Sequence, residues 1–170
     1  MYAELHSVLK EVYRQQGNLP RALEHARASH TAYQKIGKHD SEITMLAQIG
    51  QMLGAMGQSE DALVMLERAV KQAREMGFER VLSFALVIKA EEMIQTGYFE
   101  DAENVVLEGL ELSRGKILAR ECQFTNMLAR IKRRIGRFGE AIQVTKKALE
   151  LSDELGLPIQ QELKFYPFIF

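Results

Sequence analysis

The side chains able to do chemistry are few: His6, His25, His30, His39, Cys122 and some neighbouring carboxylates. Two histidines on one helix share a metal when they stand on the same face, as at i and i+4. His25 and His30 are five apart, which turns them about 140° from each other around a helix. Surface or packing roles are expected for them. Cys122 lies between Glu121 and Gln123, with no histidine at a readable spacing, so a buried structural thiol is expected. The acids fall in adjacent pairs: Glu91 with Glu92, Glu100 with Asp101, Asp153 with Glu154. Neighbours on a helix diverge by about 100° and do not face one substrate. Gly50, Gly54 and Gly57 imitate a phosphate loop only in spacing, because no strand precedes them and no Lys-Ser/Thr pair follows. Close helix packing is the expected reason for them. The sequence therefore reads as a non-enzyme with no cofactor and no metal.

Composition narrows the class further. The 170 residues carry 22 Lys+Arg and 23 Asp+Glu, a net charge of −1. No global positive field exists to hold nucleic acid or an anionic membrane. Hydrophobic residues at 46% exclude a disordered chain, and one cysteine excludes an internal disulfide framework. The longest uncharged stretch, Ile43 to Ser59, is 17 residues and contains Thr44, Gln48, Gln51 and Gln58. It is too short and too polar to span a bilayer. Glu4 and His6 stand where a secretion signal needs a basic start and an apolar run, so the cytoplasm is the expected compartment. Ala, Leu, Glu, Lys, Arg, Gln and Met dominate, with three prolines, which is a helical composition.

The chain repeats itself. A glycine followed five residues later by alanine occurs at Gly17 and Ala22, Gly57 and Ala62, Gly97 and Ala102, and Gly136 and Ala141. These glycines are spaced 40, 40 and 39, and a second series, Gly37, Gly77, Gly115 and Gly156, falls near the middle of each period. Between them apolar residues keep a helical period: Leu5, Val8, Leu9, Val12 and Tyr13; Leu46, Ile49, Gly50 and Leu53; Leu63, Leu66, Ala69 and Val70. Pro20 suits a first helical turn, and Ser59 is placed to cap its helix, with Glu60 and Asp61 at the positive dipole end. The glycines suit left-handed helix ends. Small residues recur in columns: Ser29, Ala69, Gly109 and Ala148; Gly50, Ala90 and Ala129. They let helix backbones approach closely. Lys10 interrupts the second column in the first unit, as a terminal unit with one open side allows.

Four glycine-to-alanine matches in register, each with a small residue seven further on, resemble the tetratricopeptide repeat. The resemblance covers roughly residues 3–156. Its usual period is near 34; the longer one here resembles the repeats of kinesin light chains and of bacterial signalling and transcription-regulatory proteins. The fold implied is all-α: a right-handed solenoid of antiparallel helix pairs, with units near 1–38, 39–78, 79–116 and 117–156. The first helices would line a concave groove that grips a protein or peptide. Carrying the family's groove positions over gives Glu4, Ser7 and Glu11; Thr44, Ala47, Gln48 and Gln51; Phe84, Val87, Ile88 and Glu91; and Gln123, Asn126, Met127, Arg130, Arg133 and Arg134. The groove would run from acidic, through uncharged and apolar, to basic. Asn126 suits a ligand's backbone amide. The Lys and Asn set of chaperone-binding members is missing, since Ser7, Glu11 and Gln48 stand in its place.

Charge is sorted along the chain. Residues 90–113 hold seven acids and no base, and residues 114–147 hold ten bases and two acids. Either adjacent elements attract through these charges, or Arg130, Arg133 and Arg134 accept acidic groups of a ligand. No aromatic residues interleave with the arginines as stacking platforms, which argues against RNA. Met45, Met52, Met56 and Met65 are expected in the core, with one or two lining an adaptable groove. Residues 157–170 hold Phe165, Tyr166, Phe168 and Phe170, with Pro167 among them. They read as a cap, as a fifth unit cut short, or as a contact that makes a homo-oligomer; the phase favours the second. A regulatory or sensor module from a larger bacterial protein is the alternative to a free-standing scaffold.

Overall fold

The computed structural model describes residues 1–156. Among them are eight α-helices and no strand: α1 (Tyr2–Gln15), α2 (Leu19–Lys35), α3 (His39–Ala55), α4 (Ser59–Glu75), α5 (Glu79–Thr96), α6 (Phe99–Ser113), α7 (Leu118–Arg134) and α8 (Phe138–Glu154). Two helices fall in each period. Packing divides the chain into two compact units, Met1–Thr96 and Gly97–Phe170. The aromatic stretch with Phe165, Tyr166, Phe168 and Phe170 lies outside the described residues.

The links between helices explain the glycine spacing. After α3, the Gly57 N–H donates to the Gly54 carbonyl at 2.8 Å and the Gln58 N–H donates to the Leu53 carbonyl at 2.9 Å. This crossed pair closes the helix only if the residue between adopts a left-handed backbone, and Gly57 has φ +78. Gln58 then caps the next helix: its own carbonyl accepts from the Ala62 N–H at 2.9 Å. The same bonds recur after α1, α2, α4 and α7. Because Gln58 takes the cap position, Ser59 is the first residue of α4 and makes no side-chain cap bond, which corrects the expected role of Ser59. A true side-chain cap occurs at Asn18, whose Oδ1 accepts from the Arg21 N–H at 3.3 Å, with Pro20 in the first turn. The link after α6 is built differently. There Gly115 N–H donates to Glu121 Oε2 at 3.0 Å, and α6, at 15 residues, is two shorter than α4 at 17. That is why the middle glycine slips in this period.

In the first unit, α1 packs on α2, α2 on α3, α3 on α4 and α5, and α4 on α5. Ala22, Ala62, Ala69 and Ala90 are fully buried, as is Ser29, whose hydroxyl donates to the Ala3 carbonyl at 2.8 Å. A β-carbon on Gly50 would stand 2.7 Å from Leu66 Cγ, so this column does let helices close up. The first helix departs from its pattern. Leu5, Val8 and Val12 are exposed, while Ala3 and Lys10 are buried, because α1, at one end of the unit, packs mainly against α2. Lys10 is not in open solvent: it is 6% exposed, and its Nζ donates to Gln48 Oε1 on α3 at 2.6 Å. Burial pushes its pKa down.

In the second unit, α7 packs on α6 and on α8. Phe124 and Ile131 are fully buried. Lys132 is buried between two carboxylates, 2.7 Å from Glu103 Oε1 on α6 and 2.7 Å from Glu140 Oε2 on α8. Hydrogen bonds to these acids raise its pKa, and the bond from Lys132 lowers that of Glu140. Part of the sequence's charge sorting is thus internal pairing. Cys122 is half-buried rather than buried, with Sγ 3.7 Å from the Ala148 carbonyl.

Candidate functional site

In the first unit the positions carried over from the family fall on α1, α3 and α5. On α3, Thr44, Gln48 and Gln51 lie within about 60° of one another and about 180° from the buried Leu46, Ile49 and Leu53. The helix is pinned by its apolar side and turns an uncharged polar side the other way. Gln51 is exposed, Gln48 half-buried and Ala47 fully buried. On α1, Ser7 and Glu11 are half-buried. Glu11 accepts from Arg14 Nε at 3.0 Å, Arg14 Nη2 at 2.5 Å and Gln15 Nε2 at 3.2 Å. The Arg14 hydrogen bonds hold its pKa down to about 2. On α5, Phe84 and Glu91 are half-buried, and Glu91 accepts from Gln95 Nε2 at 3.3 Å. Val87 and Ile88 are buried, because α5 packs against both α3 and α4.

In the second unit the positions fall on α7. Arg133 and Arg134 are exposed, and Gln123 and Arg130 are half-buried. Gln123 Oε1 accepts from Arg120 Nη1 at 2.7 Å. Asn126 and Met127 are buried, 7% and 3% exposed, since α7 sits between α6 and α8. Asn126 and Val87 therefore back the surface rather than form it.

One cluster escaped sequence reasoning. His6 on α1 and His25 on α2 meet Nδ1 to Nδ1 at 2.8 Å, so one ring donates and the other accepts. Tyr13 stacks on His25 with centroids 5.2 Å apart, and Tyr2 meets His6 edge-on at 4.5 Å. Arg21 reaches the Tyr13 hydroxyl at 3.2 Å. The rings come from two helices, so no spacing within one helix could reveal them. Among the described residues, no three His, Cys, Asp or Glu side chains gather where they could hold a metal. No described helix is long and apolar enough to cross a membrane.

Two helices in every forty residues, with neighbouring helices packed together inside each unit, define a helical-repeat protein. Two family models, both described as tetratricopeptide repeat, match residues 2–75 and 125–154. The chain belongs to that family. No curated protein matches the sequence. Solved structures share the fold. Aspartyl phosphate phosphatase F from Bacillus subtilis is 17% identical with a TM-score of 0.86, over 96% of this chain and 43% of that one. The Rap conjugation gene regulator of plasmid pLS20, solved with a Phr peptide, is 19% identical with a TM-score of 0.78, over 92% and 43%. Kinesin light chain TPR-like repeats of Podosopora anserina are 17% identical with a TM-score of 0.71, over 91% and 77%. The chain spans less than half the length of the first two.

Proposed function

We propose that this chain is a non-catalytic scaffold that holds a protein or peptide segment on the faces of its first helices. The observation that carries this reading is the uncharged polar face of α3, with exposed Gln51 beside Gln48 and opposite the apolar side that anchors the helix. An exposed glutamine amide such as Gln51 donates and accepts, so it suits the backbone of an extended segment, while Gln48, whose Oε1 accepts from Lys10, offers its amide N–H groups. Ser7, Glu11 and Glu91 extend the contact in the first unit. The second unit, taken by itself, offers Arg130, Arg133 and Arg134 on α7 to acidic groups of a protein or peptide segment, since guanidinium binds carboxylate through two parallel bonds. The fold is shared with a regulator solved with a peptide, which supports the same use. A regulatory or sensor module of a larger bacterial protein is the second reading. The phosphatase and the regulator that share the fold, each more than twice the length of this chain, favour it.

The test is selection of displayed peptides on the intact chain, followed by titration of the recovered peptides. Gln51→Ala with Arg133→Glu and Arg134→Glu should weaken them at least tenfold while circular dichroism stays unchanged. Selected peptides that bind this variant as tightly as the native chain would refute the reading.

A further inference from the structure

A second cleft opens on the opposite side of α3. Leu46, Ile49 and Leu53 floor it, 2%, 5% and 3% exposed, and α2 and α4 form its walls. Its volume is about 630 Å³, within the range of ligand pockets. Arg27 on α2 and Arg68 on α4 line the two walls, and both are exposed. Neither makes a side-chain hydrogen bond or ion pair with any described residue. The carboxylate on this lining, Asp61, stands in the first turn of α4, where the helix dipole already complements it. His30 also lines the cleft, and its burial lowers its pKa, so it adds no positive charge near neutral pH. The cleft thus joins an apolar floor to two exposed guanidinium groups, one on each wall.

We infer that this cleft is a second docking site, for a partner segment that carries an acidic side chain next to leucine-like side chains. A carboxylate entering between Arg27 and Arg68 gains charge-assisted hydrogen bonds. Aliphatic side chains beside it rest on half-buried Met65, which also lines the cleft above Leu46, Ile49 and Leu53. The site does not depend on the glutamine face, which points about 180° away on the same helix.

The experiment uses the intact chain and two fluorescent probes. One is an acetylated, amidated peptide of alternating Glu and paired Leu residues; the other has Lys for every Glu. Anisotropy should show saturable binding of the acidic probe, none of the basic probe, and methyl NMR shifts at Leu46, Ile49 and Leu53. Arg27→Glu with Arg68→Glu should weaken the acidic probe at least tenfold, and Arg27→Lys with Arg68→Lys should weaken it less. Gln51→Ala with Arg134→Glu should leave it unchanged. Absence of saturable binding, binding that survives the Arg→Glu pair, or binding lost in the Gln51 and Arg134 variant would overturn the inference. So would light scattering that shows a dimer dissolved by the Arg→Glu pair, because the cleft would then hold a second copy.

Discussion

The ring of Phe124 fills the space where a β-carbon on Gly109 would stand: a Cβ built there falls 2.2 Å from Cζ and 2.4 Å from Cε1. The equivalent positions elsewhere are Ser29, Ala69 and Ala148, all fully buried, so small size is common to the column. Gly109→Ala should destabilise by ~1–3 kcal/mol through overpacking, which outweighs the gain of up to ~1 kcal/mol in helix propensity. Urea titration should show the loss, and Phe124→Leu in the same chain should recover part of it. An alanine variant as stable as the native chain would mean that the two helices do not meet as described.

Lys10 and Gln48 give a second test. Removing the acceptor leaves a buried ammonium without its partner, so Gln48→Leu should cost ~1–3 kcal/mol. Lys10→Met removes the charge together with its need for a partner and should be neutral or stabilising. The opposite order of stabilities in chemical denaturation would exclude a buried Lys10.

The second unit should respond to acid through Glu140. Its folded pKa lies below the ordinary 4.5, held there by the hydrogen bond from Lys132. A carboxyl depressed in the fold stabilises it above the unfolded pKa, and that stabilisation is lost as pH falls through the folded value. The melting temperature of the native chain should therefore drop below about 4.5 more steeply than that of Glu140→Gln. Parallel pH profiles for the two proteins would show that the pair contributes nothing.

Gly57 and Ala62 separate two kinds of cost. Nothing lies within 4 Å of a β-carbon on Gly57, but its φ is +78, so Gly57→Ala should cost ~1–2 kcal/mol from the backbone alone. Gly57→Val should cost more, because β-branched residues fit this region worse. Ala62 is fully buried, and Ala62→Leu should lose ~1–3 kcal/mol by overpacking. Equal melting temperatures across these variants would contradict the packing described.

The helix pairs were legible because left-handed turns demand glycine and close helix contacts demand small residues, and both leave marks at fixed spacing. What the sequence hid depends on neighbours. The apolar period of Leu5, Val8 and Val12 cannot tell that a terminal helix has one main packing partner. Ser59 has the chemistry of a cap, but Gln58, fixed by the turn before it, takes the position. Val87 and Asn126 share the phase of Gln51 and Arg133 on their helices, yet they are buried, because burial depends on neighbouring side chains that phase alone does not record. His6 and His25 are 19 residues apart and meet only because α1 folds back on α2.

The crossed bonds at Gly57 and Gln58 make each such link a rigid joint with no slack. One residue inserted within a helix would turn everything beyond it by about 100° and swing part of its oily side into water. Length changes that preserve the protein should therefore come as whole duplicated modules rather than single codons. The one-residue shortfall in the ruler, 39 between Gly97 and Gly136, falls across the Gly115 link, where the joint is of another make.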